Sequence, residues 1–284
     1  MNARSDVRSR LARYGLRARK SFGQHFLIAD DVLETIAQAA VDNHEQSVIE
    51  VGAGLGTLTE RLADRAKKVV AIEHDRDLIP LLQEELKARA NITLIEADAL
   101  AVDFTSLLPA NPKPRLAGNL PYNISTPLLF RFLEHREHLD TVTIMIQREV
   151  ALRLSAEPNT KDYGVLSLLF GLHAQVEFVT DVPPASFAPP PKVDSSVIQL
   201  VWREAPAIEV GREEVFTQVV KAAFGLRRKT LRNALSAKYP KAIVGRAEEI
   251  SGISFTRRAE SLSLHEFGML TRAFLDATQS DEPA

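Results

Sequence analysis

The sequence predicts a doubly wound α/β sheet whose last strand runs antiparallel, followed by a small all-helical domain. Three observations carry this expectation. Short apolar runs alternate with stretches of helical spacing between residues 32 and 147, which implies parallel strands joined by right-handed crossovers. Residues 174–182 and 195–203 are strand-like, but only a Pro-rich turn separates them, too short for a helical crossover, so that pair is expected to be antiparallel. Beyond residue 204 the strand-like runs cease and helical spacing alone remains. At 284 residues, 45% hydrophobic and 25% charged, the chain is long enough for one large domain and a small one. The expected divisions are a basic arm over 1–20, the sheet domain over 21–204 and a helical domain over 212–277.

The elements follow in order. Asp31 and Glu34 have the spacing of a capping box, and Val32, Leu33, Ile36, Ala37 and Ala40 recur on one helical face behind them. Residues 48–52 form a short buried strand that runs into Gly52-Ala53-Gly54-Leu55-Gly56, and Thr57 to Glu60 is expected to cap a helix burying Leu58 and Leu62. Residues 68–73 are the next strand, and 78–88 a helix with Leu78, Leu81, Leu82 and Leu86 as its stripe. Residues 92–98, 114–120 and 141–147 are three further strands, with a helix over 126–134 between the last two. Residues 165–172 are apolar and helical, and the strand over 195–203 carries Trp202, expected in the core. In the helical domain Val215, Phe216, Val219, Val220 and Ala223 form one stripe, and Leu231, Ala234 and Leu235 another, on a helix crowded with Arg and Lys. Ser263 and Glu266 have capping-box spacing before a last helix with Phe267, Leu270 and Phe274 inward, and residues 278–284 read as a disordered tail.

Composition excludes several chemistries. Cysteine is absent, which removes disulfides, thiolate nucleophiles and cysteine-based zinc sites, and fits a reducing, cytoplasmic setting. The seven histidines show no metal-ligand spacing. No run is long enough to span a membrane, and the first residues lack the apolar core of a secretion signal. The net charge of −2 conceals two basic clusters. Residues 1–20 carry seven Arg or Lys against one acid, Asp6, and residues 221–241 carry seven more, including Arg227, Arg228, Lys229 and Arg232, with no acid. A polyanion responds to such local fields rather than to the total, so these four residues are candidate RNA contacts. The plainer alternatives are a solvated helix face and a disordered arm; the arm also has the Arg-rich, acid-poor character of a mitochondrial transit peptide, though it is short for one.

Two motifs carry the chemistry. Glu50-Val51-Gly52-Ala53-Gly54-Leu55-Gly56 follows a strand and opens a helix, the place where open α/β sheets bind nucleotides. Glycines let a ligand touch backbone, and the following helix offers free N–H groups. Glu73, ending the next strand, can accept both hydroxyls of a ribose, and Asp98, ending the third, can accept from an adenine amino group. A dinucleotide would call for G-x-G-x-x-G, but with Gly52 and Gly54 in place the last position is Thr57. Acid-x-G-x-G-x-G suits S-adenosylmethionine, which has no pyrophosphate to cradle.

The second motif is Asn119-Leu120-Pro121-Tyr122. The Asn119 side-chain oxygen and the Leu120 carbonyl can both accept from a planar amino group, Pro121 stiffens the turn, and Tyr122 can stack on a base. Beside a methyl donor, these groups would take the hydrogens of an exocyclic nitrogen and turn its lone pair towards the methyl. Phe187, in a segment stiffened by five prolines over 182–195, is expected to close an aromatic sandwich around the base; the plainer alternative is a rigid hairpin with a buried Phe.

Taken in order, these residues resemble the ribosomal small-subunit adenine dimethyltransferase family (the KsgA/RsmA type). The resemblance covers nearly the whole chain: Phe-Gly-Gln-His-Phe-Leu at 22–27, Glu50 to Gly56, Ile72-Glu73, Asp98, Asn-Leu-Pro-Tyr-Asn-Ile-Ser-Thr at 119–126, Gln-Arg-Glu-Val at 147–150, the segment from Phe187 to Ser195, and Phe-Gly-Leu-Arg-Arg-Lys-Thr-Leu-Arg-Asn-Ala-Leu at 224–235. It implies a Rossmann-like methyltransferase sheet and S-adenosylmethionine-dependent N6,N6-dimethylation of two adjacent adenines in a hairpin loop near the 3′ end of 16S rRNA. A monomer acting on the small ribosomal subunit is expected, with a helical C-terminal domain that docks on rRNA. It further implies that His25 and Leu27 touch the cofactor together with Gly52, Glu73, Asp98 and Asn119. The family often has Asn at position 25, so His there suggests a backbone contact. The rivals are the related class that dimethylates an adenine of 23S rRNA and confers macrolide resistance, and a non-catalytic assembly or mitochondrial transcription factor. The Pro-rich Phe187 segment and the basic helix expected from Leu226 to Leu235 look more like the small-subunit family.

Overall fold

The computed structural model describes residues 3–17 and 24–279. Arg19, Lys20 and the first two residues of the 22–27 box lie outside the described residues, as does the tail beyond Gln279. Residues divide into two compact units, 1–151 with 176–202, and 152–175 with 203–284.

The first unit holds a seven-stranded sheet and the helices around it. It opens with helix α1 (Ala3–Arg13), strand β1 (Phe26–Leu27) and helix α2 (Asp30–Ala40). All five apolar residues expected on α2 are buried. The helix starts two residues earlier than the capping box requires, and no side chain caps it; Glu34 pairs with Arg65 instead. Strand β2 (Ser47–Val51), helix α3 (Thr57–Ala63), strand β3 (Lys68–Glu73), helix α4 (Ile79–Leu86) and strand β4 (Ile92–Glu96) follow. Helix α3 also lacks a side-chain cap, because Gly56 occupies that position in the left-handed region, φ +78°. Strand β5 (Arg115–Asn119), helix α5 (Ser125–Glu134), strand β6 (Thr141–Gln147) and helix α6 (Arg148–Leu154) come next. Helix α7 (Val165–His173) precedes strands β7 (Ala174–Val182), β8 (Phe187–Ala188) and β9 (Ser195–Trp202).

The sheet order is β4-β3-β2-β5-β6-β9-β7. Strands β2 to β6 pair in parallel, and β9 runs antiparallel to β6, with Gln147 opposite Ser195. The chain winds outward from β2 to β3 and β4, then returns to β5 on the other side of β2. This reversal opens a crevice at the carboxyl ends of β2 and β5, where doubly wound sheets bind ligands. Trp202, expected in the core, is only half-buried at the end of β9.

The second unit is built from helices α7, α8 (Glu213–Phe224), α9 (Leu231–Ser236), α10 (Lys241–Ser251) and α11 (Leu264–Gln279). The expected boundary at 204 placed α7 with the sheet, yet residues 152–175 group with the C-terminal helices. The physical reason is that α7 is apolar almost all round, burying seven residues including Leu168, Leu169, Phe170 and Leu172, so it serves as the centre of a helical core. Tyr163 donates to the Leu262 carbonyl at 2.8 Å, and its ring meets Phe224, which in turn stacks on Phe267. The capping box at Ser263 and Glu266 forms as expected, with Ser263 N–H donating to the Glu266 carboxylate at 2.8 Å and Glu266 N–H to the Ser263 hydroxyl at 3.2 Å. Thr278 and Gln279, expected in a disordered tail, belong to α11.

Candidate active site

A cavity of about 300 Å³ sits in the crevice of the first unit. Gly52, Gly54, Glu73, Asp98, Asn119, Leu120, Pro121 and Tyr122 all line it, together with Gln24, His25 and Phe26. Strand register brings them together: Val51 lies opposite Ile72, so Gly52 meets the end of β3, and Glu50 lies opposite Ala117, so Gly52 also meets the end of β5. At Gly118 a Cβ would come within 2.5 Å of the Val51 carbonyl oxygen, so only glycine fits where β5 passes β2.

One wall is the glycine turn. Gly52 and Gly54 have φ of +81° and +59°, values L side chains rarely adopt, and a Cβ on Gly54 would lie 3.5 Å from the Phe26 ring. Glu73 organises this wall: its carboxylate accepts from Gly54 N–H at 2.8 Å, His74 N–H at 2.9 Å and Asp75 N–H at 2.8 Å. Burial pushes its carboxyl above the usual carboxylate range, against the pull of these three donors. Asp98 is exposed and accepts from Leu100 N–H at 2.9 Å, which fixes its turn. Beneath the turn, Glu50 is 1% exposed, its two carboxylate oxygens without hydrogen-bond partners among the described residues. Burial raises its pKa to about 7, with the Glu73 charge adding to the rise.

The other wall is the tetrapeptide. Asn119 Nδ2 donates to the His25 carbonyl at 3.1 Å. An amide has one oxygen and one nitrogen, so this bond commits the nitrogen and leaves Oδ1 as a free acceptor. The His25 backbone thus serves to fix Asn119, and its ring has a place as well. His25 Nδ1 lies 2.8 Å from the Pro189 carbonyl, which can only accept, so Nδ1 carries the proton. Tyr122 is tied through its hydroxyl to Ser195 Oγ at 2.5 Å, and burial raises its phenol pKa.

Three expected site assignments change. Phe187 is fully buried, paired through its backbone with Leu27 in the β1–β8 ribbon, and its ring lies in the core with Val32, Leu33, Val182 and Val197. It lines no part of the cavity. The ring beside Tyr122 is His25, stacked at 5.5 Å and 28°, too close to admit a base between the two. Leu27 is likewise a core residue, 3% exposed and absent from the lining, because alternation along β1 turns Phe26 and Leu27 to opposite sides. Finally, Arg227, Arg228 and Lys229 sit in an exposed turn rather than on a helix, since α9 starts only at Leu231, where Leu231 and Arg232 N–H groups donate to the Arg257 and Phe255 carbonyls. Arg227 is drawn to the Lys161 carbonyl and to Glu260, and Arg232 to Glu248, whereas Arg228 and Lys229 form no ion pair among the described residues. Sequence reasoning missed Gln24 and Phe26 as lining residues and Ser195 as the anchor of Tyr122; their signal was adjacency to the 22–27 box and to the start of the last strand.

Residues 15–272 match the family described as "Ribosomal RNA adenine dimethylase". The chain belongs to the ribosomal RNA adenine dimethylase family. As a dimethylase it is an enzyme, and named relatives agree with that placement. It is 45% identical over 265 residues to a Ribosomal RNA small subunit methyltransferase A of Clostridium botulinum, covering 93% of this chain and 96% of that one. A protein of the same name from Clostridium perfringens is 45% identical over 276 residues, 96% of this chain and 97% of the other. Among solved structures, the dimethylase resembles a dimethyladenosine transferase from Plasmodium falciparum, with a TM-score of 0.72, 25% identity, and coverage of 89% and 98%. The 23S rRNA methyltransferase ErmE gives a TM-score of 0.64 at 29% identity, with coverage of 88% and 99%. No described helix is long and apolar enough to cross a membrane.

Proposed function

We propose that this enzyme transfers methyl groups from S-adenosylmethionine to N6 of two adjacent adenines in a hairpin loop near the 3′ end of 16S rRNA, acting as a cytoplasmic monomer on the small ribosomal subunit. The observation that carries the reading is the committed Asn119 amide: with Nδ2 held by the His25 carbonyl, Oδ1 and the Leu120 carbonyl form a pair of acceptors at the cavity. The residues fit the cofactor. Glycines at 52 and 54 leave room for a ligand against backbone, Glu73 supplies a buried carboxylate beside the turn, and Asp98 supplies an exposed one. Bound there, S-adenosylmethionine would supply an electrophilic methyl on a sulfonium.

The chain's own residues do the rest. Asn119 Oδ1 and the Leu120 carbonyl accept the two amino hydrogens of adenine, which lowers conjugation of the nitrogen lone pair with the ring and aims it. Pro121 keeps the two acceptors in fixed relation. Tyr122, held at its hydroxyl by Ser195 and backed by His25 on one face, offers its remaining surface to the base. The adenine must leave its stack to reach these groups. Phe187 acts at one remove, by pairing with Leu27 and so setting the 24–27 segment against Asn119. Arg228 and Lys229 are the cations best placed to meet rRNA phosphate.

The test is methyl transfer from labelled S-adenosylmethionine to unmodified small subunits, large subunits and duplex DNA, with products digested and read as dimethyladenosine. Close to four methyls per small subunit is expected from two adenines. Labelling of the large subunit instead would favour the 23S reading, to which the likeness to ErmE gives weight. Cofactor binding without transfer to any of the three would leave an assembly role.

A further inference from the structure

The basic arm was expected to meet RNA, yet its described part is built against the cofactor pocket. Helix α1 buries Val7 and Leu11, each 5% exposed and four residues apart on one face, in a cluster with Phe26, Leu55, Leu81 and Leu82. Arg10, on the same helix, is turned inward as well. Its guanidinium donates to the Leu55 carbonyl at 2.8 Å and meets Glu85 at 3.3 Å, and its side chain is only 12% exposed. Leu55 is the residue between Gly54 and Gly56 in the glycine turn, and the Phe26 ring lies 3.5 Å from where a Cβ of Gly54 would be. The arm thus touches both segments that form one wall of the cavity, and it touches them from behind.

We propose that Arg10 is a positioning residue for the cofactor site: its Nη2 ties the glycine turn to α4, meeting both the Leu55 carbonyl and the Glu85 carboxylate, while Val7 and Leu11 pack with Phe26 beside Gly54. A turn with three positive-φ glycines at alternate positions has many conformations open to it, so an external tie selects the one whose N–H groups and Glu73 face the ligand. A guanidinium spent on Leu55 and Glu85 is not free for phosphate, which separates Arg10 from the exposed cations Arg13 and Arg17. This inference rests on the proposed use of S-adenosylmethionine at that cavity.

The experiment measures cofactor binding by the RNA-free protein, by calorimetry with S-adenosylmethionine, for wild type, Arg10→Ala, Arg10→Lys and Glu85→Gln, alongside kcat and KM for the cofactor and the salt dependence of rRNA binding. Arg10→Ala is expected to raise Kd and KM for the cofactor about tenfold, the effect of losing one charge-assisted hydrogen bond, while kcat at saturating cofactor stays within twofold. Arg10→Lys keeps the charge but places its donor nitrogen on a shorter, differently shaped side chain, and should recover only part of the loss. Glu85→Gln leaves the Leu55 contact in place and should shift Kd by less than Arg10→Ala does. The rRNA salt slope should not change in any of the three. Cofactor affinity within twofold of wild type in Arg10→Ala overturns the proposal, as does a flattened salt slope with unchanged cofactor affinity, which would make Arg10 a phosphate contact. Failure of the wild type itself to bind S-adenosylmethionine would strike the proposed function instead.

Discussion

The two walls of the cavity are assembled by different means. The glycine-turn wall is held by bonds between neighbouring strands: Glu73 reaches Gly54, 19 residues away, and the adjacent His74 and Asp75. The acceptor wall depends on distant partners: Asn119 is set by the His25 carbonyl, 94 residues away, and Tyr122 by Ser195, 73 residues away. The bonds from Glu73 in the first wall therefore come with the parallel sheet. The second is complete only when the 24–27 segment and β9 have both docked. Cofactor affinity and methyl transfer should accordingly respond to different substitutions.

The largest effect is expected at the acceptor wall. Asn119→Ala should lower kcat by roughly 10²-fold or more, as loss of one preorganised acceptor does, and leave cofactor Kd within a few-fold. Single-turnover methyl transfer with calorimetry on the same sample checks both halves, and wild-type turnover would break the assignment of Asn119. On the opposite wall, Glu73→Ala should raise cofactor Kd on the order of 10²-fold by removing the acceptor of three backbone N–H groups. Should kcat at saturating cofactor fall as steeply, the two walls are not separable.

Glu50 sharpens the comparison by pH. Its carboxyl holds a proton to about pH 7 in the folded chain and to its ordinary 4.5 in the unfolded one. Between those values the folded state binds more protons, so stability falls as pH rises across this window and levels off above it. Glu50→Gln removes the charge that forms, and should be more stable than wild type by about 3 kcal/mol at pH 8 with little difference below pH 4.5. Urea unfolding of the cofactor-free protein across this range is the measurement; parallel curves for the two proteins would show that Glu50 is not the group responsible.

The smallest effect concerns substrate docking in the helical unit. Replacing Arg228 and Lys229 with Gln should flatten the salt slope of rRNA binding by about one per lost phosphate contact, nearly two in all, and adding Arg227→Gln should change it less because that side chain is engaged with Lys161 and Glu260. Filter binding over a salt series reads this directly. An unchanged slope would move the RNA footprint to other cations.

Much of the sheet unit could be read from residues alone because its signals are local and periodic. The stripe on α2 and the leucines at 78, 81, 82 and 86 are buried as their spacing requires. Capping boxes proved only partly legible: Ser263 and Glu266 form theirs although Arg257 also holds Glu266, while Glu34 pairs with Arg65 and Gly56 displaces Thr57. The helix expected to carry Arg227 to Lys229 is interrupted because the Leu231 and Arg232 amides bond to a later loop, a contact no local pattern encodes.

By itself, then, the sequence determined the chemistry at positions 52–56, 73, 98 and 119–122, since a glycine's freedom, a carboxylate's lone pairs and a proline's locked φ are covalent properties that travel with the residue. Only the tertiary structure decided where side chains of the short ribbon strands point. Strand pairing sends Phe187 and Leu27 into the core and brings His25 to Tyr122, and a one-residue change of register would reverse each of them. The same holds for the basic arm: charge is visible in the sequence, but whether a guanidinium meets solvent, phosphate or the Leu55 carbonyl depends on where the helix that carries it is packed.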